Sequence, residues 1–211
     1  MKLPDLQRWQ VLCDSAGARG PVSATYEELL RRYAEPVRAY HNGHHIAECL
    51  EEFADVRELA SQPLSVEFAI WYHDAVYDPR AADNEERSAD LARDFLAALG
   101  LPQEDAEVVV RLVMATKHHD GSLHPDAPLL VDIDLSILGR EEARFWEYER
   151  QIRQEYQWVP EAVFTIKRAE ILERFLARPF LYGTEYFRAK YEAQARKNLA
   201  ASVARLWDGT A

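Results

Sequence analysis

Apolar residues recur every three or four positions along most of the chain, a spacing that places them on one face of an α-helix. No segment alternates apolar and polar residues over the length of a β-strand. The pattern therefore predicts an all-α fold. Predicted helices run through Leu6–Leu12, Tyr26–Tyr33, Ile46–Phe53, Val66–Ile70, Leu91–Leu99, Val109–Thr116, Phe145–Tyr156, Val163–Phe175 and, last, about residues 184–207.

Residues that commonly begin or end helices support these boundaries. Asn42 is the predicted N-cap of the third helix, and Asp83 or Asn84 can cap the fifth. Gly100 suits the position just after the fifth helix, where the backbone often turns left-handed. Pro102 then predicts the start of the next helix.

The central helix, in the stretch LSVEFAIWYHDAVYD, ends in a polar pair. Val66, Ala69, Ile70 and His73 fall at i, i+3, i+4 and i+7, which predicts that one stripe of this helix faces a core. That stripe carries the His73 ring inward, and Asp74 follows directly. Burying such a pair is costly unless both side chains have a partner, and a metal ion can bind imidazole nitrogen and carboxylate oxygen together.

Composition narrows the class of protein. With 211 residues, 48% of them hydrophobic, the chain suits a single domain over 1–211. The formal net charge of -11, from 36 acidic and 25 basic residues, argues against binding to nucleic-acid polymers or anionic membranes. Cys13 and Cys49 form no CxxC pair, so we expect both to be reduced thiols. Since the chain also has no signal-like or membrane-spanning apolar run, we expect a cytoplasmic protein; its oligomeric state stays open.

Histidines and inward-facing carboxylates cluster in four segments. Six of the seven histidines belong to these clusters, and two aspartates lie in the apolar run LLVDIDLSILG. Because so many buried polar side chains would lack partners without a cation, the pattern predicts a metal site. The clusters are His41 to His45, His73 with Asp74, His118 with His119, and Asp132 with Asp134.

The order of these residues resembles a known signature. His45, then His73-Asp74, then a distant Asp134 is similar to the H…HD…D pattern of the HD superfamily of metal-dependent phosphohydrolases. The stretches YHNGHHI, WYHDAVYD, DNEERSA, ATKHH and DIDLSILG further resemble a bacterial subset of predicted HD phosphohydrolases. The resemblance implies a single HD-type helical domain, with its metal-binding core at about 40–140 and additional helices at about 141–207 packed on it.

The same resemblance implies a set of metal ligands. It makes His45, His73, Asp74 and Asp134 the ligands of one divalent ion. His44 could take the role of its neighbour His45, and Asp132 that of Asp134. In HD proteins with two metals, further histidines lie between the HD dipeptide and the last aspartate. His118 and His119 match that interval, and we favour His119 as a second-metal ligand; alternatively, both are charges at a helix end. His41 is expected beside the ligands and His124 on the surface.

Candidate catalytic residues follow the HD dipeptide. Glu85 and Glu86 are either favourable charges at the start of a helix or carboxylates that orient the attacking water or protonate the leaving oxygen, as in related nucleotidases. Lys117 and Arg87 are the nearest basic candidates for phosphate contact, and Arg168 and Arg178 on the later helices are further candidates. Two histidines and two carboxylates do not select one metal, so Mn²⁺, Fe²⁺, Co²⁺, Ni²⁺, Zn²⁺ and Mg²⁺ all stay open.

These residues lead to one expected function and two rivals. We expect a metal-dependent phosphohydrolase that acts on a phosphate ester of a nucleotide or another small phosphorylated metabolite. The first rival is a di-iron oxygenase of the HD fold, which would need His118 or His119 as a ligand. The second is a binding module without catalysis, whose metal stabilises the fold or whose pocket senses a nucleotide.

Overall fold

The structure is a computed structural model that describes residues 3–119 and 121–209. Within these ranges the chain forms ten α-helices and two 3₁₀ turns and contains no strand, so the all-α prediction is confirmed. The chain divides into two compact units, residues 1–133 and 134–211. Compactness alone does not show that either unit folds by itself, so the single domain stays a prediction.

The first unit contains six helices and most of a seventh. Two predicted helix ends are confirmed: the Asn42 side chain accepts a hydrogen bond from the His44 amide at 2.8 Å, and Gly100 has a φ of +77° just after a helix. These helices are α1 (Leu6–Ser15), α2 (Val22–Tyr33), α3 (Gly43–Val56), α4 (Pro63–Tyr72), α5 (Asn84–Ala98), α6 (Gln103–His118) and α7 (Ala127–Asp134), with a 3₁₀ turn at Arg57–Leu59.

Helix α4 is the centre of the first unit, because α1, α3, α5 and α6 all pack against it. The predicted stripe of Val66, Ala69, Ile70 and His73 is buried, as expected. Burial extends beyond that stripe, because every residue from Ser65 to Tyr72 is buried. The one charged residue in this run, Glu67, is neutralised by ion pairs with Arg8 and Arg57. A helix that is enclosed on all sides fixes its last residues firmly, and His73 and Asp74 follow those residues.

The second unit contains a 3₁₀ turn at Leu135–Gly139 and the helices α8 (Glu142–Glu155), α9 (Glu161–Leu176) and α10 (Glu185–Trp207). Helix α10 packs against α9 and against the 3₁₀ turn. Gly139 is needed there, because a Cβ at this position would lie 2.5 Å from the Cβ of Tyr191. Asn198 donates to the backbone carbonyls of Leu138 and Arg140, both at 2.9 Å, and so ties the turn to α10.

No helix in the described part of the chain is both long enough and apolar enough to cross a membrane.

Candidate metal centre

The end of α4 orients the ring of His73. The His73 amide donates to the Ala69 carbonyl at 2.9 Å and so continues the helical bonding by one residue. The ring nitrogen Nδ1 lies 3.0 Å from the carbonyl oxygen of Ile70. A carbonyl only accepts, so Nδ1 carries the proton and Nε2 presents its lone pair. A backbone carbonyl that holds Nδ1–H in this way is typical of histidines that bind a metal through Nε2.

Three donor atoms converge where α3 meets the end of α4. His45 Nε2 lies 3.2 Å from His73 Nε2, and Asp74 Oδ2 lies 3.2 Å from His73 Nε2. The third side of this triangle, from Asp74 Oδ2 to His45 Nε2, measures 3.5 Å. Two ligands bound at about 2.1 Å to the same ion, at angles between a right angle and the tetrahedral angle, are separated by roughly 3.0 to 3.5 Å. The spacing of the three donors fits one ion.

The triangle is shielded from solvent and holds a negative charge. His45 and His73 are each 2% exposed, and the Asp74 side chain is 20% exposed. Burial by itself raises the pKa of the Asp74 carboxyl, but His73, His41 and His45 outweigh it and hold that pKa well below its usual value. Asp74 is therefore an ionised oxygen donor at neutral pH.

A second group of donors overlaps the triangle: it shares His45 and His73 and does not include Asp74. The donor atoms of His45, Cys49, His73 and Asp134 all lie within 4.8 Å of one another, so this group can hold a metal ion. Asp134 is the last residue of α7. Cys49 lies one turn after His45 on α3, with Sγ 3.7 Å from His45 Nδ1. Sequence reasoning missed Cys49, although its i, i+4 spacing from His45 places both side chains on one helical face.

The neighbours of two predicted ligands lie outside this group. Nε2 of His44, a half-buried residue, is 3.8 Å from a carboxylate oxygen of Glu48. Asp132 is only 1% exposed, yet the group found among the described residues contains Asp134 instead. The geometry therefore favours His45 over His44, and Asp134 over Asp132, as donors.

Aromatic side chains and one arginine surround the triangle. The ring of His41 stacks on Tyr77 with centroids 4.4 Å apart, and Tyr40 lies against His45 at 4.7 Å. Arg38 is buried and donates to the carbonyl oxygens of Asp74 at 2.7 Å and Ala75 at 3.2 Å. Nothing in the sequence pattern distinguishes Arg38 from a surface arginine, so this residue was not predicted.

The candidate catalytic residues lie on two packed helices. Glu85 and Glu86 are in the first turn of α5, and Lys117 is in the last turn of α6. Lys117 forms an ion pair with Glu86 and donates to the Ala82 carbonyl at 3.0 Å. The hydrogen bond from Lys117 lowers the pKa of the Glu86 carboxyl. The Oε2 atom of Glu86 is buried and has no hydrogen-bond partner among the described residues.

The predicted second-metal ligands lie at the end of α6. His118 is its last residue and is exposed, and His119 follows in a left-handed conformation with φ of 51°. The metal-ligand group identified within 3–119 and 121–209 includes neither histidine. A second metal ion at His119 therefore stays a prediction.

His124 is not on the surface, so that prediction is wrong. The residue is 8% exposed, and its Nδ1 accepts a hydrogen bond from the Asp126 amide at 3.1 Å. The adjacent Pro125 suggested an open loop, but Asp126 ties this loop to the start of α4. Its carboxylate accepts hydrogen bonds at 2.8 Å from the amides of Ser61 and Gln62.

Comparison with family models, with curated proteins and with solved structures finds no match to this chain. The resemblance to the HD superfamily therefore rests on the signature residues themselves. The short distances between the donor atoms are a separate observation that does not depend on the resemblance.

Proposed function

We propose that the protein is a metal-dependent phosphohydrolase whose centre is formed by His45, His73 and Asp74 together with Asp134. The observation that carries this proposal is the triangle of donor atoms with sides of 3.2, 3.2 and 3.5 Å. His45 lies 28 residues before His73 and 29 before Asp74, and the packing of α3 against α4 brings three polar donors to this spacing. Their convergence supports a shared cation.

The donor set narrows the choice of ion. Two imidazole nitrogens suit Mn²⁺, Fe²⁺, Co²⁺, Ni²⁺ and Zn²⁺ better than Mg²⁺, which prefers oxygen ligands and water. The nearby thiol of Cys49, whose Sγ lies 3.8 Å from His45 Nε2, adds a soft donor and favours the later metals of this series. When bound, such an ion withdraws charge from a phosphoryl oxygen and makes water more acidic, which is the chemistry that phosphate-ester hydrolysis requires.

Glu86 is the residue of this chain best suited to move a proton. Its lowered pKa, caused mainly by the hydrogen bond from Lys117, keeps the carboxyl ionised at neutral pH. An ionised carboxylate accepts a proton, so of its two predicted roles the orientation of water is favoured over protonation of the leaving oxygen. The unpartnered Oε2 atom leaves an acceptor for this purpose, while Lys117 holds the other oxygen.

The charge distribution bears on the substrate. Residues 1–133 contain 24 acidic and 12 basic side chains, so a phosphorylated substrate needs local positive charge at the site. Buried Arg38 donates to backbone carbonyls, including that of His41 at 2.9 Å, and Lys117 is paired with Glu86. We propose that the metal ion supplies most of that charge. We propose a phosphate ester of a nucleotide or of another small metabolite as substrate.

A panel of phosphate esters tests the proposal. The purified protein should release phosphate from at least one nucleotide or small phosphomonoester when supplied with Mn²⁺, Co²⁺ or Ni²⁺, and it should do so under strict anaerobiosis. A strict need for iron and O₂, with ¹⁸O from O₂ found in the product, would identify an oxygenase instead. A metal-replete protein that turns over no substrate, yet is thermally stabilised by one nucleotide, would be a binding module.

A further inference from the structure

The second unit contains a cavity of its own, formed by α8, the start of α9 and the end of α10. Its volume is about 360 Å³, which lies in the range of small-molecule sites. Trp146 and Phe164 contribute aromatic surface to its wall, and Arg150, Arg153 and Arg205 contribute positive charge. We call this the arginine cavity. None of the donors of the metal centre lines it.

Two of the three arginines are held against aromatic rings. The Arg205 guanidinium lies 5.1 Å from the centre of the Trp146 ring, and that of Arg153 lies 4.7 Å from the centre of the Phe164 ring. Stacking of this kind keeps a guanidinium flat and in place. Arg153 already donates to the carbonyl oxygens of Tyr156 at 2.7 Å and Val159 at 3.2 Å, so it contributes charge to the cavity wall. Arg153 is also paired with Glu161 at 2.8 Å.

Arg150 is the least constrained of the three cations. It is exposed, and it makes no ion pair or hydrogen bond within the described part of the chain. Its spacing from Trp146 and Arg153, four residues before and three after, places all three on one face of α8. The cavity therefore has one guanidinium ready to accept an anion.

Besides Glu161, the cavity wall contains one carboxylate, that of Glu149, and its charge is also neutralised. Glu149 forms an ion pair with buried Arg168 and accepts a hydrogen bond from Ser202 at 3.0 Å. Burial by itself lowers the pKa of Arg168, but Tyr148 and Glu149 outweigh burial and raise it, so the guanidinium stays charged. The charge of the second unit also differs from that of the first, because residues 134–211 contain 13 basic and 12 acidic side chains. The wall carries net positive charge in a protein whose overall charge is -11.

We propose that the arginine cavity binds a small organic anion that joins a phosphate group to a planar ring. Guanidinium groups match phosphate oxygens with paired hydrogen bonds, and aromatic and guanidinium planes both stack on flat rings. A nucleoside monophosphate has this chemistry and a fitting size. The inference goes beyond the proposed hydrolysis, because it assigns a second ligand site made of other residues.

Calorimetric titration of the full-length protein tests this site with three probes: AMP, adenosine and inorganic phosphate. Titrations are made on the protein as purified and again with excess EDTA, which removes any contribution of the metal centre. In EDTA, AMP should bind at one site per chain, at least tenfold more tightly than adenosine or phosphate. Arg150→Ala should weaken AMP binding at least tenfold, whereas Arg174→Ala, an exposed arginine of α9 outside the cavity, should change it less than twofold.

Three results would each overturn the proposal: no AMP binding in EDTA, AMP binding that neither Arg150→Ala nor Arg205→Ala weakens, or phosphate alone binding as tightly as AMP. Arg150 is exposed, so Arg150→Ala should keep the far-ultraviolet circular dichroism and thermal midpoint of the wild type. The two proposals fail separately. Loss of metal-dependent turnover would leave AMP binding in EDTA unchanged, and loss of AMP binding would leave turnover unchanged.

Discussion

The guanidinium of Arg38 donates a hydrogen bond to the backbone carbonyl of Asp74, 36 residues further along the chain, at 2.7 Å. The same group donates to the His41 carbonyl at 2.9 Å and lies 5.4 Å from the centre of the Tyr77 ring. One buried cation therefore connects the segment that precedes α3 to the segment that follows α4. These two segments adjoin His45 on one side and His73 on the other.

Arg38→Ala should lower the free energy of unfolding by on the order of 3 kcal/mol, because it removes one buried and two partly buried hydrogen bonds to carbonyl oxygens. Arg38→Lys should recover only part of this loss, since one ammonium group cannot reproduce the planar fork. Urea unfolding followed by circular dichroism measures both changes.

The matched control for Arg38 is Arg31→Ala. Arg31 is exposed and pairs with Glu28 one turn away, at 2.7 Å, so its removal should have a far smaller effect. Equal losses for the two alanine variants would show that Arg38 does not connect the segments.

Local sequence was enough to predict much of the fold. The helical period, the cap at Asn42 and the left-handed glycine at Gly100 all depend on neighbours within a few residues, and all three are confirmed. What escaped prediction depends on distant partners. The enclosure of α4 follows from four packed helices, and the burial of His124 follows from the attachment of its loop to residues 61 and 62.

Asp126 should act as a distant cap for α4. That helix has no local side-chain cap, but the Asp126 carboxylate accepts from the amides of Ser61 and Gln62 just before it. Asp126→Ala should cost about 2 to 4 kcal/mol in the free energy of unfolding, because two partly buried hydrogen bonds lose their charged acceptor. Ser61→Ala removes only the hydroxyl bond at 2.8 Å and should cost roughly 1 kcal/mol. A smaller loss for Asp126→Ala than for Ser61→Ala would contradict the capping role.

Cys13 should be unreactive in the folded protein at pH 8. It is fully buried, and burial, with a smaller contribution from Asp14, raises the pKa of its thiol to about 12. Because only the thiolate is alkylated, the reaction should be roughly 10³-fold slower than that of an ordinary thiol from the pKa alone. Iodoacetamide labelling followed by peptide mass spectrometry measures this rate, with the protein unfolded in guanidinium as the control. Equal rates in the folded and unfolded states would refute the burial of this thiol.

Glu86→Gln should leave the metal content unchanged and lower the rate of phosphate release by roughly 10²- to 10⁴-fold, because the proton acceptor is lost while the ligands remain. Glu85→Gln is the matched control, since Glu85 is the adjacent carboxylate in the same first turn of α5. Steady-state rates and elemental analysis are measured on both variants. A normal rate for Glu86→Gln would return Glu86 to the role of a helix-end charge that pairs with Lys117.

The metal centre was predicted less completely than the fold. His45, His73, Asp74 and Asp134 could be proposed from their order in the chain. The structure places Asp74 within 3.5 Å of both histidine Nε2 atoms, and it places a donor of Asp134 within 4.8 Å of those of the same two histidines. Cys49 and Arg38 could not be selected in the same way. Buried cysteines are common in helices, and an arginine that donates to backbone carbonyls leaves no pattern in the sequence.

Elemental analysis of purified variants tests the metal centre most directly. The wild-type protein should carry about one equivalent of a transition metal, and His73→Ala and Asp74→Ala should each lose most of it, because each removes one corner of the donor triangle. His44→Ala should retain the wild-type content, since His44 is the adjacent histidine on α3 and lies outside the donor group. Equal metal content in the wild type, His73→Ala and Asp74→Ala would contradict a metal centre at these residues.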